Sequence, residues 1–347
     1  VNDTLNGDSA TISDVTISIV DPADSVNNGP VPSIDTATGT VSVPEGTPAG
    51  SYEIEYQICE VLNPGNCDTA VATVIVEAAE IVANDDNYGP VNGLEGDSNV
   101  GNVLVNDTLN GDSATISDVT ISIVDPADSV NNGPVPSIDT ATGTVRVPEG
   151  TPAGSYEIEY QICEVLNPGN CDTAVATVIV EAAEIVANDD NYGPVNGLEG
   201  DSNVGNVLVN DTLNGDSATI EKVTISIVDP AEAINNGPVP SIDTATGTVR
   251  VPEGTPAGSY EIEYQICEVL NPGNCDTATV TVIVRNDIDA IDDSFGPVNG
   301  LEGDTNVGNV LVNDTLNGDS ATTEKVTISI VDPADSVNNG PVPSIDT

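Results

Sequence analysis

Cysteine is the residue type with the clearest chemical meaning in this chain. The six cysteines form three pairs that each bracket Glu-Val-Leu-Asn-Pro-Gly-Asn, namely Cys59 with Cys67, Cys163 with Cys171, and Cys267 with Cys275. Pro and Gly predict a turn here, which would bring the two sulfurs together across a hairpin. Metal thiolates and free thiols are the alternatives, but the chain lacks histidine and a second nearby cysteine pair for zinc. We therefore predict three disulfides, each worth about 2.5 kcal/mol, and an oxidising compartment.

Clustered carboxylates are the second group that could do chemistry. Asn84-Asp85-Asp86 and Asn106-Asp107 recur along the chain, and Glu77 and Glu80 lie between them and the preceding strand. Adjacent carboxylates repel one another unless a cation lies between them, and calcium favours carboxylate and amide oxygens. The candidate calcium ligands are Asp85, Asp86, Asp107, Asp112, Asp189, Asp190, Asp211, Asp216, Asp292 and Asp293. Turn formation on a solvated acidic surface is the alternative interpretation of the same residues.

The overall composition argues against catalysis and against anionic partners. The chain has 5 Lys plus Arg against 57 Asp plus Glu, a formal net charge of −52, and no histidine. Such a charge repels nucleic acid and anionic lipid. Nucleophilic and general acid–base catalysis lack their usual groups. Paired carboxylates such as Glu157 and Glu159 could act as in a glycosidase, but they are better explained as the wet face of a strand. We therefore predict no enzyme.

The chain consists of near-identical repeats. Val-Asn-Asp-Thr-Leu-Asn-Gly-Asp begins at Val1 and recurs at intervals of 104, 104 and 103 residues. Residues 1–104 and 105–208 differ only at Ser42, which corresponds to Arg146. We place the boundaries so that two complete repeats lie between two partial ones, at residues 1–80, 81–184, 185–287 and 288–347. Identical neighbours argue against a separate ligand or reaction for each copy and favour a spacer.

Short alternating strands must position these residues. In the second repeat, strands are predicted at Val100–Val105, Val119–Val124, Gly143–Val147, Tyr156–Ile162 and Ala174–Val180. The fourth of these places two tyrosines and two isoleucines on one face and carboxylates on the other. Gly and Pro turns separate the strands, and no segment has the pattern of an amphipathic helix. The fold predicted is all-β, with tandem Ig-like/cadherin-like β-sandwich repeats of about 104 residues forming an elongated rod.

Several of these segments are similar to a known family. Asn84-Asp85-Asp86, Asn102–Thr108, Gly143-Thr144-Val145, Gly154-Ser155-Tyr156 and Ala176–Val180 resemble the bacterial cadherin-like/immunoglobulin-like adhesin repeat. The cysteine hairpin and the linkers look most like repeats of giant SprB-type gliding-motility adhesins of flavobacteria. That resemblance implies export by type 9 secretion to the surface of a Gram-negative bacterium, attached to its outer membrane. It also implies partners: neighbouring repeats, the surface secretion and motility machinery, and an external surface or glycan bound through a separate tip.

The same resemblance implies a modification. Bacteria of that phylum attach O-glycans at Asp-Ser/Thr followed by a small or apolar residue, and such triplets place acceptors at Thr108, Ser113, Ser129, Thr140 and Thr173. Asp-Thr is also common in turns of β proteins, so both explanations remain open. The function implied is a structural stalk in a very large secreted adhesin for surface attachment and gliding, without membrane insertion by this segment. A multivalent glycan- or protein-binding module is the alternative.

Overall fold

The computed structural model describes residues 2–347. The chain divides into two compact units, of which the first ends at Ala183 and the second begins at Glu184. Each unit contains one complete repeat. Throughout residues 2–347 the regular structure is strand, apart from one short 3-10 helix. No helix in this part of the chain is long and apolar enough to cross a membrane.

The second repeat has ten strands, several of them only two residues long. They are Ile81–Val82, Asp86–Asn92, Asp97–Asn102, Thr108–Leu109, Asp112–Ser113, Val119–Asp125, Ser137–Asp139, Thr144–Val147, Gly154–Glu164 and Cys171–Glu181, with the 3-10 helix at Val103–Val105. The third repeat has the same ten, at Ile185–Val186, Asp190–Asn196, Asp201–Asn206, Thr212–Leu213, Asp216–Ser217, Val223–Asp229, Ser241–Asp243, Thr248–Val251, Gly258–Glu268 and Cys275–Arg285.

The two partial repeats contribute the remaining strands of residues 2–347. Residues 2–80 contain Thr4–Leu5, Asp8–Ser9, Val15–Asp21, Ser33–Asp35, Thr40–Ser42, Gly50–Glu60 and Cys67–Val76. Residues 288–347 contain Ile288–Asp289, Thr315–Leu316 and Asp319–Ser320.

Two sheets face each other in the second repeat. The four-stranded sheet is centred on the long hairpin of Gly154–Glu164 and Cys171–Glu181, which pair antiparallel from Gly154 opposite Val180 to Cys163 opposite Cys171. Val119–Asp125 pairs antiparallel with Gly154–Glu164 on one side of the hairpin. On the other side Asp86–Asn92 pairs parallel with Cys171–Glu181. The opposing sheet has three antiparallel strands, with Thr144–Val147 in its centre.

The core lies between these sheets and is built from small aliphatic side chains and two tyrosines. Tyr156, Ile158, Tyr160 and Ile162 alternate inward from the long hairpin and are at most 2% exposed, as the period-2 pattern predicts. Val145 and Val147 meet them from the three-stranded sheet. The hydroxyl of Tyr156 donates to the carbonyl of Pro152 at 2.7 Å, so one polar group of this core is satisfied by the turn that precedes its strand.

One predicted strand is wrong at its end. The strand predicted at Val100–Val105 stops at Asn102, and Val103–Val105 form the 3-10 helix. The side chain of Asn102 accepts a hydrogen bond from the Leu104 amide at 2.9 Å, which caps this turn. An asparagine that offers the backbone a local partner competes with the strand ladder, and here it ends the strand.

Asp86–Asn92 was not predicted as a strand. It contains Gly89 and a cis Gly89–Pro90 bond, and its pairing with the long hairpin is interrupted there. Proline lacks an amide donor, so it is tolerated here because the strand lies at the edge of the sheet. The ring of Tyr88 lies over Gly101, where a Cβ would overlap it.

Candidate functional site: the buried carboxylate and tyrosine cluster

A buried tyrosine hydroxyl meets two buried carboxyl groups in the second repeat. The Oη of Tyr160 lies 3.0 Å from Oδ2 of Asp86, and 3.3 and 3.4 Å from Oδ2 and Oδ1 of Asp107. Tyr160 is fully buried, and the two aspartates are 8% and 1% exposed. We refer to Asp86, Asp107 and Tyr160 as the entrance cluster, because Asp86 lies at the start of the repeat.

Three separate segments bring the entrance cluster together. Asp86 begins the parallel strand and pairs with Ala176 of the long hairpin. Asp107 follows the 3-10 helix, and its Oδ1 accepts a hydrogen bond from the amide of Asn84 at 2.8 Å. Tyr160 reaches the cluster from the middle of the hairpin, on its inward face.

The two asparagines beside the cluster tie the same segments to each other. The side chain of Asn84 donates to the carbonyl of Asn106 at 2.8 Å, and the side chain of Asn106 donates to the carbonyl of Asp85 at 3.1 Å. Reciprocal bonds of this kind satisfy backbone carbonyls that no sheet partner reaches. The recurring Asn-Asp pairs therefore fasten the start of the repeat to the segment after its 3-10 helix.

Oxygen atoms outnumber protons around the Tyr160 hydroxyl. Besides the two carboxyl groups, the carbonyls of Asn84 and Val103 lie 3.2 and 3.3 Å from its Oη. A phenol supplies one proton, which cannot satisfy all of these acceptors at once. Two buried carboxylates in such a site favour the uptake of a further proton.

The pKa values follow from this geometry. Burial raises the pKa of Asp86 to about 6, against the hydrogen bond from Tyr160 and the neighbouring Tyr88 hydroxyl, which lower it, while the charges of Asp107 and Asp85 raise it further. Burial also raises the pKa of Asp107, opposed by hydrogen bonds from the Asn84 amide and Tyr160. The pKa of Tyr160 rises through burial and through the two neighbouring carboxylates. The cluster can therefore hold a proton at mildly acidic pH.

The third repeat has the same cluster. The Oη of Tyr264 lies 3.3 Å from Oδ2 of Asp190 and 3.1 Å from Oδ2 of Asp211. Burial raises the pKa of Asp190 to about 6, as it does for the equivalent residue of the second repeat. The geometry is therefore a property of the complete repeat.

The predicted calcium ligands do not meet in one place. Asp85 is exposed, and its Oδ1 accepts a hydrogen bond from the Val175 amide at 2.9 Å. Asp112 is exposed in a two-residue strand after the Asn-Gly turn. Of the four candidates in this repeat, only Asp86 and Asp107 share a site. In the third repeat Asp190 and Asp211 likewise share one, while Asp189 bonds a strand amide and Asp216 is exposed. Asp292 and Asp293 are exposed.

This donor set does not fit a calcium cage. Calcium takes six to eight oxygen ligands, whereas the entrance cluster offers two carboxyl groups whose oxygens already face a hydroxyl and a backbone amide. Within residues 2–347 no group of three or more acidic, histidine or cysteine side chains is placed to hold a metal ion. Calcium binding therefore stays a prediction from sequence.

Sequence reasoning missed the tyrosine. It assigned Tyr160 to the core face and predicted no hydrogen-bond partner for its hydroxyl. A buried tyrosine hydroxyl needs a polar partner, and the two acidic motifs were the available partners. That requirement is the signal that could have linked the strand to the aspartates.

The cysteines lie at the far end of the long hairpin from Gly154. Cys163 and Cys171 are bonded, as are the other two pairs, and no free cysteine occurs in residues 2–347. The turn between them is closed by a hydrogen bond from the Asn170 amide to the Asn167 carbonyl at 2.8 Å, with proline second and glycine third in the turn. The pattern expected of a β-turn with proline after its first residue is thus present.

The predicted glycan acceptors are mostly accessible. Ser113, Ser129, Thr140 and Thr173 are exposed, and Thr108 is half-buried in a short strand. Asp139, which precedes one acceptor, also accepts a hydrogen bond from the Ala141 amide at 3.0 Å. Turn formation and glycan attachment are compatible at such a position, so modification stays a prediction.

The chain was compared with known proteins. No family model matches it, and no curated protein matches it. Solved structures similar to it include cadherin domains 3–6 of protocadherin gamma B2, with 10% identity over 79% of this chain and 68% of that one at a TM-score of 0.31. Mouse cadherin-23 domains EC22–24 share 14% identity over 78% and 86%, at a TM-score of 0.30. The human desmocollin-1 ectodomain shares 13% identity over 80% and 56%, at 0.29. Similarity at these TM-scores carries no inference about ligands or partners.

Proposed function

We propose that this chain is a structural stalk segment of a very large secreted cell-surface adhesin. The observation that carries the proposal is that near-identical β-sandwich domains follow one another while their recurring polar residues are used inside the fold. The entrance cluster lies inside the fold, where Tyr160 contacts Asp86, and the cysteines close a hairpin. A spacer requires only that each copy fold and link to the next.

The surface chemistry is consistent with a spacer outside the cytosol. Three disulfides require an oxidising compartment to form and persist. A formal net charge of −52 keeps neighbouring segments apart and in solution. On the sequence resemblance alone, we further propose attachment to the outer membrane of a Gram-negative bacterium, type 9 secretion, and a role in gliding motility.

Small-angle X-ray scattering of the full chain tests the stalk. Domains that follow one another end to end should each add roughly 40 Å to the maximum dimension, from about 3.3 Å of rise per strand residue. A maximum dimension close to that of one compact globule would overturn the proposal. Repeating the measurement with excess calcium and then with chelator tests the predicted metal: calcium that stiffens the joints would give a longer particle that shortens on chelation.

Glycan attachment has its own measurement. The intact mass of protein purified from its native source would exceed the mass of the bare chain if the five predicted acceptor positions of each repeat carry glycans. A mass equal to that of the bare chain would remove the glycosylation prediction and leave the stalk untouched.

A multivalent binding module is the second candidate. One exposed valine recurs in the second, third and fourth copies, at Val105, Val209 and Val312, and these side chains are 76 to 79% exposed. Binding of the intact chain to a glycan array or a surface, lost when all three valines are replaced by serine, would favour this function. Because the three sites would act together, their combined loss should exceed the sum of single changes.

A further inference from the structure

The turn that the disulfide closes contacts the preceding repeat. We call residues 164–170, between the two cysteines of the second repeat, the stapled turn. The side-chain oxygen of Asn167 accepts a hydrogen bond from the backbone amide of Ala49 at 2.7 Å. The carbonyl of Leu166 accepts one from the side chain of Asn27 at 3.2 Å. Both partners belong to residues 2–80, so the turn of one repeat binds the body of the one before it.

A third contact reaches the linker. The side chain of Asn170 donates to the carbonyl of Ala79 at 2.7 Å. Ala79 lies between the last strand of the first repeat and the first strand of the second. The stapled turn therefore touches the first repeat at two loops and also fixes the connecting segment.

A buried carboxylate orients the two asparagines. Glu164 is 5% exposed, and it accepts hydrogen bonds from the side-chain amides of Asn167 at 2.6 Å and Asn170 at 2.8 Å. Because the nitrogen of Asn167 faces Glu164, its oxygen faces outward toward the preceding repeat. One negative charge thus sets the direction of both contact groups, and charge-assisted hydrogen bonds are the stronger kind.

The first copy of the turn provides a reference for burial. It has the same sequence, and within residues 2–347 no preceding repeat is present to cover it. Its Leu62 is 85% exposed, whereas the equivalent Leu166 is 43% exposed. Asn63 is likewise exposed, whereas Asn167 is half-buried. The difference in exposure arises where the preceding repeat covers the turn.

The receiving loops are pre-formed for this contact. Asn27 and Asn28 both have positive φ, 50° and 57°, and the Gly29 amide bonds the Val26 carbonyl, as in a type I′ turn. Ala49 immediately precedes the strand Gly50–Glu60, so its amide lies outside the sheet ladder and is free to donate outward. Little backbone ordering is needed on either side for the repeats to join.

We propose that the stapled turn is the docking element that joins the second repeat to the first, with Asn167 and Asn170 as its contact residues and Glu164 as the positioning residue. In this second copy the Glu-x-x-Asn-x-x-Asn spacing therefore provides the contacts between repeats, whereas the disulfide closes the hairpin. This goes beyond the stalk proposal, because it concerns what holds two repeats together whatever the protein binds.

Hydrogen exchange at the Ala49 amide tests the docking directly. Mass spectrometry can follow this amide in the full chain, because the peptide from Ser42 to Ala49 differs in mass from later copies, which carry arginine in place of Ser42. Asn167→Ala removes the acceptor, and Ala49 should then exchange about tenfold faster, as the loss of one hydrogen bond implies. Exchange of the strand Gly50–Glu60, followed in a longer peptide that begins at Ser42 because the strand itself is identical in three copies, should stay unchanged, which shows that the first repeat remains folded.

Matched variants separate docking from turn stability. Asn63→Ala makes the same change in the first copy and should leave Ala49 exchange unaltered. Glu164→Gln should accelerate Ala49 exchange by a smaller factor, because the asparagine amide loses its orientation, while Glu60→Gln should not. Unchanged Ala49 exchange in Asn167→Ala, or equal acceleration in Asn63→Ala, would overturn the docking role. Neither result would bear on the particle length measured for the stalk.

Discussion

Within residues 2–347 the sequence of residues 2–80 occurs a second time at residues 106–184, and only this second occurrence is preceded there by the strands that complete its sandwich. Residues 2–80 match residues 106–184 except at Ser42, yet their surroundings differ. Val145 and Val147 are 0% and 2% exposed, whereas the equivalent Val41 and Val43 are 44% and 48% exposed. The second copy has the parallel edge strand and the strand Asp97–Asn102 opposite its valines, and residues 2–80 contain no equivalent of either.

The tyrosine of the entrance cluster shows the same contrast. In the second copy Tyr160 is fully buried between two aspartates. In the first copy the equivalent Tyr56 is half-buried, and its hydroxyl donates to Asp3 alone at 2.7 Å. The hairpin itself forms in both copies with the same register. Local sequence is therefore sufficient to form the hairpin, whereas the first quarter of the repeat is needed to complete the core and the cluster.

Removing the tyrosine should break this contrast most severely. Tyr160→Ala empties a fully buried site and leaves two buried carboxyl groups without their hydroxyl, so we expect a loss of about 3–5 kcal/mol in the opening free energy of the second repeat. Tyr56→Ala should cost about 1–2 kcal/mol, because its site is half-exposed already. Native-state hydrogen exchange measures both, since each substitution gives its own peptide a distinct mass.

Equal losses at the two tyrosines would contradict the comparison. In that case the edge strands would add nothing to the packing of this side chain, and the burial difference would have no energetic weight. Tyr160→Phe serves as the control for volume, because it keeps the ring and removes only the hydroxyl.

The valines give a smaller and cleaner version of the test. Val145→Ala should lower the opening free energy of the second repeat by about 1–3 kcal/mol, because two methyl groups leave a closed core. Val41→Ala should change the first repeat by less than about 0.5 kcal/mol, because its side chain faces solvent. The same exchange measurement applies, and a cost at Val41 equal to that at Val145 would show that the strand opposite Val145 contributes little.

The smallest expected difference between the complete repeats and the first copy is in how the free energy of unfolding depends on pH. The pKa of Asp86 is about 6 in the folded repeat against 3.8 for an unperturbed aspartate, with Asp107, Asp85, Tyr88 and Tyr160 facing it. The folded state thus binds the extra proton between about pH 4 and 6. The stabilisation is present below this window and is lost as pH rises through 6, by about 1 kcal/mol per repeat once solvent screening is allowed for.

Urea unfolding at pH 5 and pH 7 measures this dependence. Because lower pH also relieves the general charge repulsion, the informative comparison is between variants. Asp86→Asn with Asp190→Asn should flatten the change between the two pH values, since an amide mimics the protonated acid. Asp112→Asn with Asp216→Asn removes the same number of charges from exposed positions and should keep the slope. The same flattening in both pairs would rule out the entrance cluster as its origin.

The hairpin was the most predictable part of the fold. Strict alternation of apolar and charged residues from Tyr156 to Ile162 fixes which face is buried, and Asn-Pro-Gly marks the turn. The cysteine pairing followed from the same two facts. These features depend on neighbours in sequence, so a single repeat contains all the information they need.

The less predictable parts involve segments far apart in sequence. The strand Asp86–Asn92 has glycine and proline in place of an alternating pattern, and it forms because the long hairpin offers it an edge. Asp86 and Asp107 were singled out from sequence, but as metal ligands at a joint. Their encounter with Tyr160 depends on contacts across 74 and 53 residues, which no local pattern encodes.

The all-β class, the repeat, the inward face of the hairpin and the partners of the cysteines could all be predicted from the amino-acid sequence, because each rests on period, turn chemistry or short spacing. The acidic residues that are buried, the asparagines that face the preceding repeat and the copies of the valines that are covered become known only from the packing of segments distant in sequence. Those outcomes depend on what packs against a residue, and identical residues in the first and second copies meet different neighbours.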